Sequence, residues 1–242
     1  MEVATNNEAP ATSSAGRAEG LLLVDKPAGV TSHDMVLAAR RAYGERSIGH
    51  LGTLDPFATG LLLMLIGRST RLASFIVTDP KVYEATIRFG TETSTDDSTG
   101  SVIRSASPPE SSAVKAAIES LTGDLMQVPP AYSAKSVDGE RAYDSARRGE
   151  LVVLPPVAVR VHQWDVHEVE PDFIRVTITC GTGTYVRALA RDLGRHAGSA
   201  AHLESLRRTR SGAFDVRDAA SLQDLRTAPP PLRPLTIVAG NA

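Results

Sequence analysis

One carboxylate in this 242-residue chain stands in a setting suited to chemistry. It is Asp55, inside the run Gly49-His50-Leu51-Gly52-Thr53-Leu54-Asp55-Pro56-Phe57-Ala58-Thr59-Gly60. Proline disfavours α-helical backbone in the residue before it, so Pro56 holds Asp55 extended. Gly49, Gly52 and Gly60 carry no Cβ, which lets a bulky partner approach the backbone. His50 stands five residues before the acid. A stiff acid in a loop open to a large substrate suits acid–base or nucleophilic catalysis. An isolated Asp-Pro is more often a turn with a solvated carboxylate, so the surrounding run has to carry the argument.

The elements that position this loop are legible on both sides of it. Leu21–Val24 reads as a short buried strand, and Thr31 or Ser32 then caps a helix that runs to about Tyr43 and is ended by Gly44. Beyond the loop, the apolar run Leu61–Ile66 reads as a buried strand closed by Gly67. Residues 82–89 alternate: Tyr83, Ala85, Ile87 and Phe89 face one way, and Glu84, Thr86 and Arg88 the other. Residues 91–100 read as a polar loop in which Asp96 and Asp97 occupy a solvated turn without the spacing of a cation site. Val114, Ala117, Ile118 and Leu121 recur at helical spacing, with Ser111 or Ser112 as cap and Gly123 as stop. Val157, Val159 and Val161, and then Ile174, Val176, Ile178 and Cys180, mark two more strands. Val186, Leu189, Ala190 and Leu193 mark an amphipathic helix before Gly194. Strands followed by helices without strict alternation predict an α+β fold, a largely antiparallel mixed sheet flanked by helices and loops.

Composition bounds the function. The length supports one sizeable core with little left for a second domain. A formal net charge of −2 argues against a wholesale nucleic-acid binder, but the charge is uneven. Residues 185–217 carry seven arginines against three acids, and residues 91–124 carry six acids against two bases. A basic face on a near-neutral protein can bind phosphates. Cys180 is the single cysteine, so no intramolecular disulfide forms, which fits a reducing, cytoplasmic setting. The longest apolar run, six residues, is too short for a membrane span, and no secretory signal is visible. No phosphate loop, dinucleotide fingerprint, zinc-binding histidine pair or cysteine pair is present. His162 and His167, near Glu168 and Glu170, lie in a polar strand or turn and receive no role.

The Asp55 run resembles the catalytic loop of the tRNA pseudouridine synthase B family. Three further stretches resemble that family in the same order. Asp25-Lys26-Pro27-Ala28-Gly29-Val30-Thr31-Ser32-His33 is similar to its N-terminal lysine-proline motif. Gly183-Thr184-Tyr185-Val186-Arg187 is similar to its second active-site motif, and Leu206-Arg207-Arg208-Thr209-Arg210-Ser211-Gly212 to its basic motif. The match runs from about Gly20 to about Leu225. The resemblance implies the pseudouridine synthase fold, with residues 1–18 a disordered tail and 19–227 the catalytic domain. Residues 124–154 would be an RNA-clamping, thumb-like insertion. Residues 228–242 would be a tail without a complete C-terminal RNA-binding domain, and tRNA affinity would be weaker than in longer relatives.

The activity implied is isomerisation of the T-loop uridine of tRNA, position 55, to pseudouridine. The N1–C1′ bond breaks, the uracil turns, and C5 joins C1′, with no net redox change and therefore no cofactor or metal. The base must first be flipped out of its stack. By the same resemblance Asp55 is the catalytic carboxylate and Arg187 its counter-charge. Tyr83, counted with the catalytic residues, and Tyr185 contact the substrate, His50 presses into the gap left in the RNA, and Leu206 lines the uracil pocket. Lys26 and the arginines at 207, 208 and 210 are phosphate or structural contacts. The carboxylate either attacks the sugar covalently or takes a proton from it. The partner implied is the tRNA T-arm, with no membrane and no obligatory protein partner. A tRNA-folding chaperone and a guide-RNA-dependent pseudouridylase subunit are the alternatives. The sequence departs from the family at Tyr132-Ser133-Ala134-Lys135-Ser136, where the lysine arrives one place early.

Overall fold

The two apolar runs at the start of the chain lie side by side. Leu21–Val24 sits within a strand that pairs antiparallel with the strand holding Leu61–Ile66, Leu23 opposite Leu63. The computed structural model describes residues 2–5, 17–132, 136–137, 140–141 and 154–238. Most of the expected disordered tail (residues 6–16) and much of the expected insertion, with Ser133, Ala134 and Lys135, therefore lie outside the described residues. The chain forms two units, residues 1–81 with 207–242, and residues 82–206.

The first unit begins with β1 (Glu2–Thr5), β2 (Gly20–Lys26), α1 (Ser32–Tyr43), β3 (Ile48–Leu51) and β4 (Thr59–Ile66), followed by a 3₁₀ stretch, Gly67–Phe75. Strand β4 pairs antiparallel with β2 on one side and β3 on the other. Leu61 through Ile66 are all buried. Continuous rather than alternating apolar sequence is what a strand covered on both faces requires. Each such side chain contributes roughly 1.5–3 kcal/mol of burial. Leu21, Leu23, Leu61, Leu63 and Leu65 pack with Ile76 and Phe214 on one side. Helix α1 starts at the expected place: Thr31 accepts from the Asp34 N–H while the Asp34 carboxylate accepts from the Thr31 N–H, a capping box. Gly44, at φ 62°, ends it.

The second unit comprises β5 (Lys81–Phe89, entering from the first), β6 (Thr91–Thr93), β7 (Val102–Ser105), α2 (Ser111–Ser120) and β8 (Gly123–Gln127). It continues with β9 (Ser136–Val137), β10 (Glu140–Arg141), β11 (Val157–Val169), β12 (Phe173–Cys180), α3 (Val186–His196) and β13 (Ala201–Ser211). Its strand order is β13–β5–β12–β11–β8. The predicted alternation of β5 holds residue for residue, with Tyr83, Ala85, Ile87 and Phe89 buried. Two sequence expectations for helices fail. Helix α2 is preceded by Glu110 without a side-chain cap, rather than by a serine cap. Gly194 does not stop α3. It lies inside the helix, where a Cβ would sit 2.4 Å from the Ala201 backbone nitrogen, so its smallness serves packing.

The chain then returns to the first unit. The last residues of β13 pair parallel with β4, Arg208 opposite Gly60. β14 (Phe214–Asp215), β15 (Ala220–Ser221), α4 (Leu222–Thr227) and β16 (Leu235–Val238) complete the unit. β15 runs parallel to β2, and β16 pairs with β1, so Glu2–Thr5, expected to lack order, is a strand. The parallel β13–β4 and β15–β2 pairs make the sheet mixed, as the fold class predicted.

Candidate active site

Within the first unit, both neighbours of Asp55 are tied to the chain around the start of α1. The Ser32 hydroxyl donates to the Leu54 carbonyl and accepts from the Leu54 N–H, each at 3.0 Å. The Pro56 carbonyl accepts from the Gly29 N–H at 2.9 Å and from Lys26 Nζ at 3.3 Å. The Asp55 carbonyl accepts from the Ala58 N–H at 3.1 Å, closing a turn. The half-buried carboxylate is thus presented by a backbone fixed on each side. Ser32 entered the sequence reading only as a rival helix cap. Ser32→Ala would leave a buried backbone donor and acceptor of Leu54 unpaired, at a cost of roughly 1–3 kcal/mol. If the tie orients Asp55, the variant should lose about tenfold in kcat with KM little changed, measured under single-turnover and steady-state conditions.

Lys26 underlies this loop. Its fully buried ammonium also donates to the carbonyls of Val30 at 2.7 Å and Pro27 at 3.0 Å. Loss of hydration pulls its pKa down to about 8, against the opposing charges of Asp55 and Asp34. Lysine in the unfolded chain titrates near 10.5. Between those values the unfolded chain binds the proton more tightly, so the Lys26 share of stability grows with rising pH. Urea unfolding should therefore show the wild type gaining on Lys26→Met from about pH 8 to about pH 10. A wild-type stability that falls relative to Lys26→Met over that range would refute a buried cation here.

Arg208 lies on the other side of the loop, buried, with Nε donating to the Leu61 carbonyl at 2.7 Å and Nη2 to the Gly52 carbonyl at 2.9 Å. The role expected for the loop glycines changes accordingly. A Cβ at Gly60 would fall 2.2 Å from the Arg208 carbonyl oxygen, and one at Gly52 3.3 Å from Arg208 Nη1. These two positions admit Arg208 and its strand rather than an outside partner. Gly49 alone of the three faces open space. His50 is half-buried, and its Nδ1 has no hydrogen-bond partner among the described residues. Burial, Arg208 and His33 depress its pKa, so the ring is neutral at physiological pH. Arg207 is held by the Asp25 carboxylate through two hydrogen bonds, 2.7 and 3.0 Å, and Arg210 is exposed.

The second unit carries Tyr83, Tyr185, Arg187 and Leu206. Tyr83 and Leu206 are buried. Tyr185, half-buried, precedes α3 and is clamped by the Gln127 amide, which accepts from its N–H at 2.9 Å and donates to its carbonyl at 3.2 Å. Nothing in the sequence pointed to Gln127. Arg187, Arg191 and Arg195 recur every fourth residue on one face of α3. Each meets an acid from the segment read as a solvated loop. Arg187 lies 3.7 Å from Asp97, Arg191 Nη1 bonds Asp96 at 2.8 Å, and Arg195 is doubly bonded to Glu92. That reading is corrected: Glu92, Asp96 and Asp97 are buried, and burial pushes Asp96 up to about 6 despite Arg191 and Arg187. Arg187 also donates to the carbonyls of Thr95 at 3.1 Å and Tyr132 at 3.0 Å, and Arg191 to that of Val128 at 2.9 Å. The basic stretch and the acidic stretch of the sequence neutralise each other in part. The first is not a free RNA face as a whole.

Asp55 and His50 thus belong to the first unit with Lys26, Arg207, Arg208 and Arg210, and Tyr83, Tyr185, Arg187 and Leu206 to the second. Among the described residues no group of acids, histidines and cysteines is arranged to hold a metal ion.

A family model described as "TruB family pseudouridylate synthase (N terminal domain)" matches residues 40–186, and one described as "tRNA pseudouridylate synthase B C-terminal domain" matches 187–230. A protein of Arthrobacter sp. (strain FB24) named tRNA pseudouridine synthase B is 48% identical over 214 residues, covering 85% of this chain and 70% of that protein. A protein of the same name from Thermobifida fusca (strain YX) is 49% identical over 218 residues, covering 86% and 74%. Among solved structures, a chain in a Cbf5-Nop10-Gar1 complex matches with a TM-score of 0.65 at 24% identity, covering 92% of this chain and 62% of that one. A chain in an H/ACA RNP bound to a substrate RNA containing 2′-deoxyuridine gives a TM-score of 0.61 at 22% identity, covering 92% and 61%. At such identity these two speak for the fold alone.

Proposed function

Since the chain belongs to the TruB family of pseudouridylate synthases, we propose that it isomerises the T-loop uridine of tRNA, position 55, to pseudouridine with Asp55 as the acting carboxylate. The observation that carries this reading is the double tie on the Asp55 loop. A carboxylate that must meet one sugar carbon or proton benefits from a backbone that cannot drift, and misplacement by about 1 Å costs on the order of 100-fold. Here the tie uses a serine hydroxyl, a glycine N–H and a buried ammonium on the two residues flanking the acid.

The cationic Lys26 beneath the loop favours the ionised form of Asp55, which either route at the sugar requires. Tyr83 and Tyr185 are assigned to the extruded base, Leu206 to the uracil pocket, and neutral His50 to the gap left in the RNA. A neutral imidazole is suited to stacking in that gap rather than to gripping a phosphate. Arg187 supplies positive charge for the reacting groups. The relatives named tRNA pseudouridine synthase B share nearly half their aligned residues with this chain, which favours a stand-alone enzyme over a guide-dependent subunit. The direct test is incubation with an unmodified tRNA transcript followed by mapping of pseudouridine. No modification at position 55 of the transcript would overturn the proposal.

A further inference from the structure

Three segments of the first unit meet at the end of its sheet far from Asp55. Gly20, the first residue of β2, pairs with Ile66, the last of β4, which also pairs with Ile48, the first of β3. The residues just outside these strand ends are Arg17 before β2, Arg46 before β3, and Arg68 and Arg71 after β4, all exposed. The segments are fixed to one another. The Gly67 N–H donates to the Ser47 carbonyl at 2.8 Å, and Thr70 Oγ1 donates to the Gly67 carbonyl at 2.8 Å. A Cβ at Gly67 would lie 2.4 Å from the Ala18 carbonyl oxygen, which shows how closely the Arg17 segment passes Arg68.

Two acids, Glu19 and Glu45, lie in the same segments, and one Glu45 oxygen accepts from the Ser47 N–H at 2.8 Å. No ion pair joins the four arginines to an acid among the described residues. This contrasts with the arginines of α3, each of which is paired. Four exposed guanidinium groups on a fixed platform match a polyanion whose charges recur along a line. Between this platform and the Asp55 loop runs the length of β4, about 23 Å for seven residue steps. At that separation the platform meets a helical stem rather than the nucleotides flanking the target.

We propose that Arg17, Arg46, Arg68 and Arg71 form a second RNA contact that grips the phosphates of the stem stacked beyond the T-arm. Duplex RNA is read through its backbone and shape, so the grip carries affinity and not sequence choice. The inference rests on the proposed tRNA activity. The two are separated by using two substrates: a full-length tRNA transcript and a short T-arm hairpin.

The variant combines Arg46→Glu, Arg68→Glu and Arg71→Glu. Its affinity for full-length tRNA should fall on the order of 10- to 100-fold at moderate salt, and the slope of log K against log salt should flatten by about 2. Its kcat on the hairpin should match that of the wild type, which also shows that it folds. Unchanged tRNA affinity and salt slope in a variant that still modifies the hairpin would overturn the proposal. Equal weakening on both RNAs would overturn it too, because the platform would then not be a distal contact. Failure of the wild type to modify either RNA would instead strike the functional reading itself.

Discussion

Asp55→Asn should reduce pseudouridine formation in a bare tRNA transcript by on the order of 1,000-fold or more, with tRNA affinity within about threefold of wild type. The substitution keeps the shape of the side chain and removes its charge. An amide can neither attack the ribose nor accept its proton at a useful rate. The backbone ties to Leu54 and Pro56 do not involve the carboxylate, so the loop should hold its place. Lys26 gives an internal check. Asp55 is the first of the charges that raise its pKa, so the variant's Lys26 should titrate lower still. Filter binding together with mapping of modified uridines measures both arms. A variant that keeps wild-type rates would exclude Asp55 from the chemistry, and one that loses binding in proportion would make it a structural residue.

The second large effect is on folding. Gly60→Ala should destabilise the protein by roughly 3–5 kcal/mol, or lower the melting temperature by about 10 °C for a chain of this size. Gly60 sits at φ 102°, a backbone conformation that alanine adopts only with strain. Its missing Cβ would also overlap the Arg208 carbonyl oxygen, and that oxygen belongs to a strand paired with β4, not to a side chain that can swing away. Gly49→Ala is the matched control, since nothing lies within 4 Å of its Cβ position. Its stability should stay within about 0.5 kcal/mol of wild type. Thermal unfolding of the pair tests the claim. Equal melting temperatures would mean that β13 can withdraw from β4 without penalty.

What the sequence disclosed and what it concealed divide along the range of the interactions. The Thr31 cap, the Gly44 stop and the alternation from Tyr83 to Phe89 are set by neighbours within a few residues, and all were visible. The ionic ladder on α3 was not, because Arg187 and Asp97 are far apart in sequence. Two clues existed: arginines at every fourth position, and acidic and basic stretches of matching size. Polar residues around 91–100 looked solvated because burial of a charge depends on a partner that no local pattern reveals. Gly52, Gly60 and Gly194 were recognisable as special but not for the right reason, which is the approach of another segment's backbone or a buried arginine. For the site, Asp55 and His50 stood out through their motif. Ser32 and Gln127, each of which grips one distant backbone residue through a pair of hydrogen bonds, left no mark in composition or spacing.

The buried ammonium under the Asp55 loop has one more consequence. The chain holds four lysines, at 26, 81, 115 and 135. With a pKa near 8, Lys26 carries an appreciable share of free amine at neutral pH, yet it is sealed from reagents by the loop it holds. Acylation of that nitrogen can proceed only while the loop is away. The rate at which mild acetylating agents tag Lys26, set against exposed Lys115, is thus a clock for how often the Asp55 segment opens, and bound RNA should slow it.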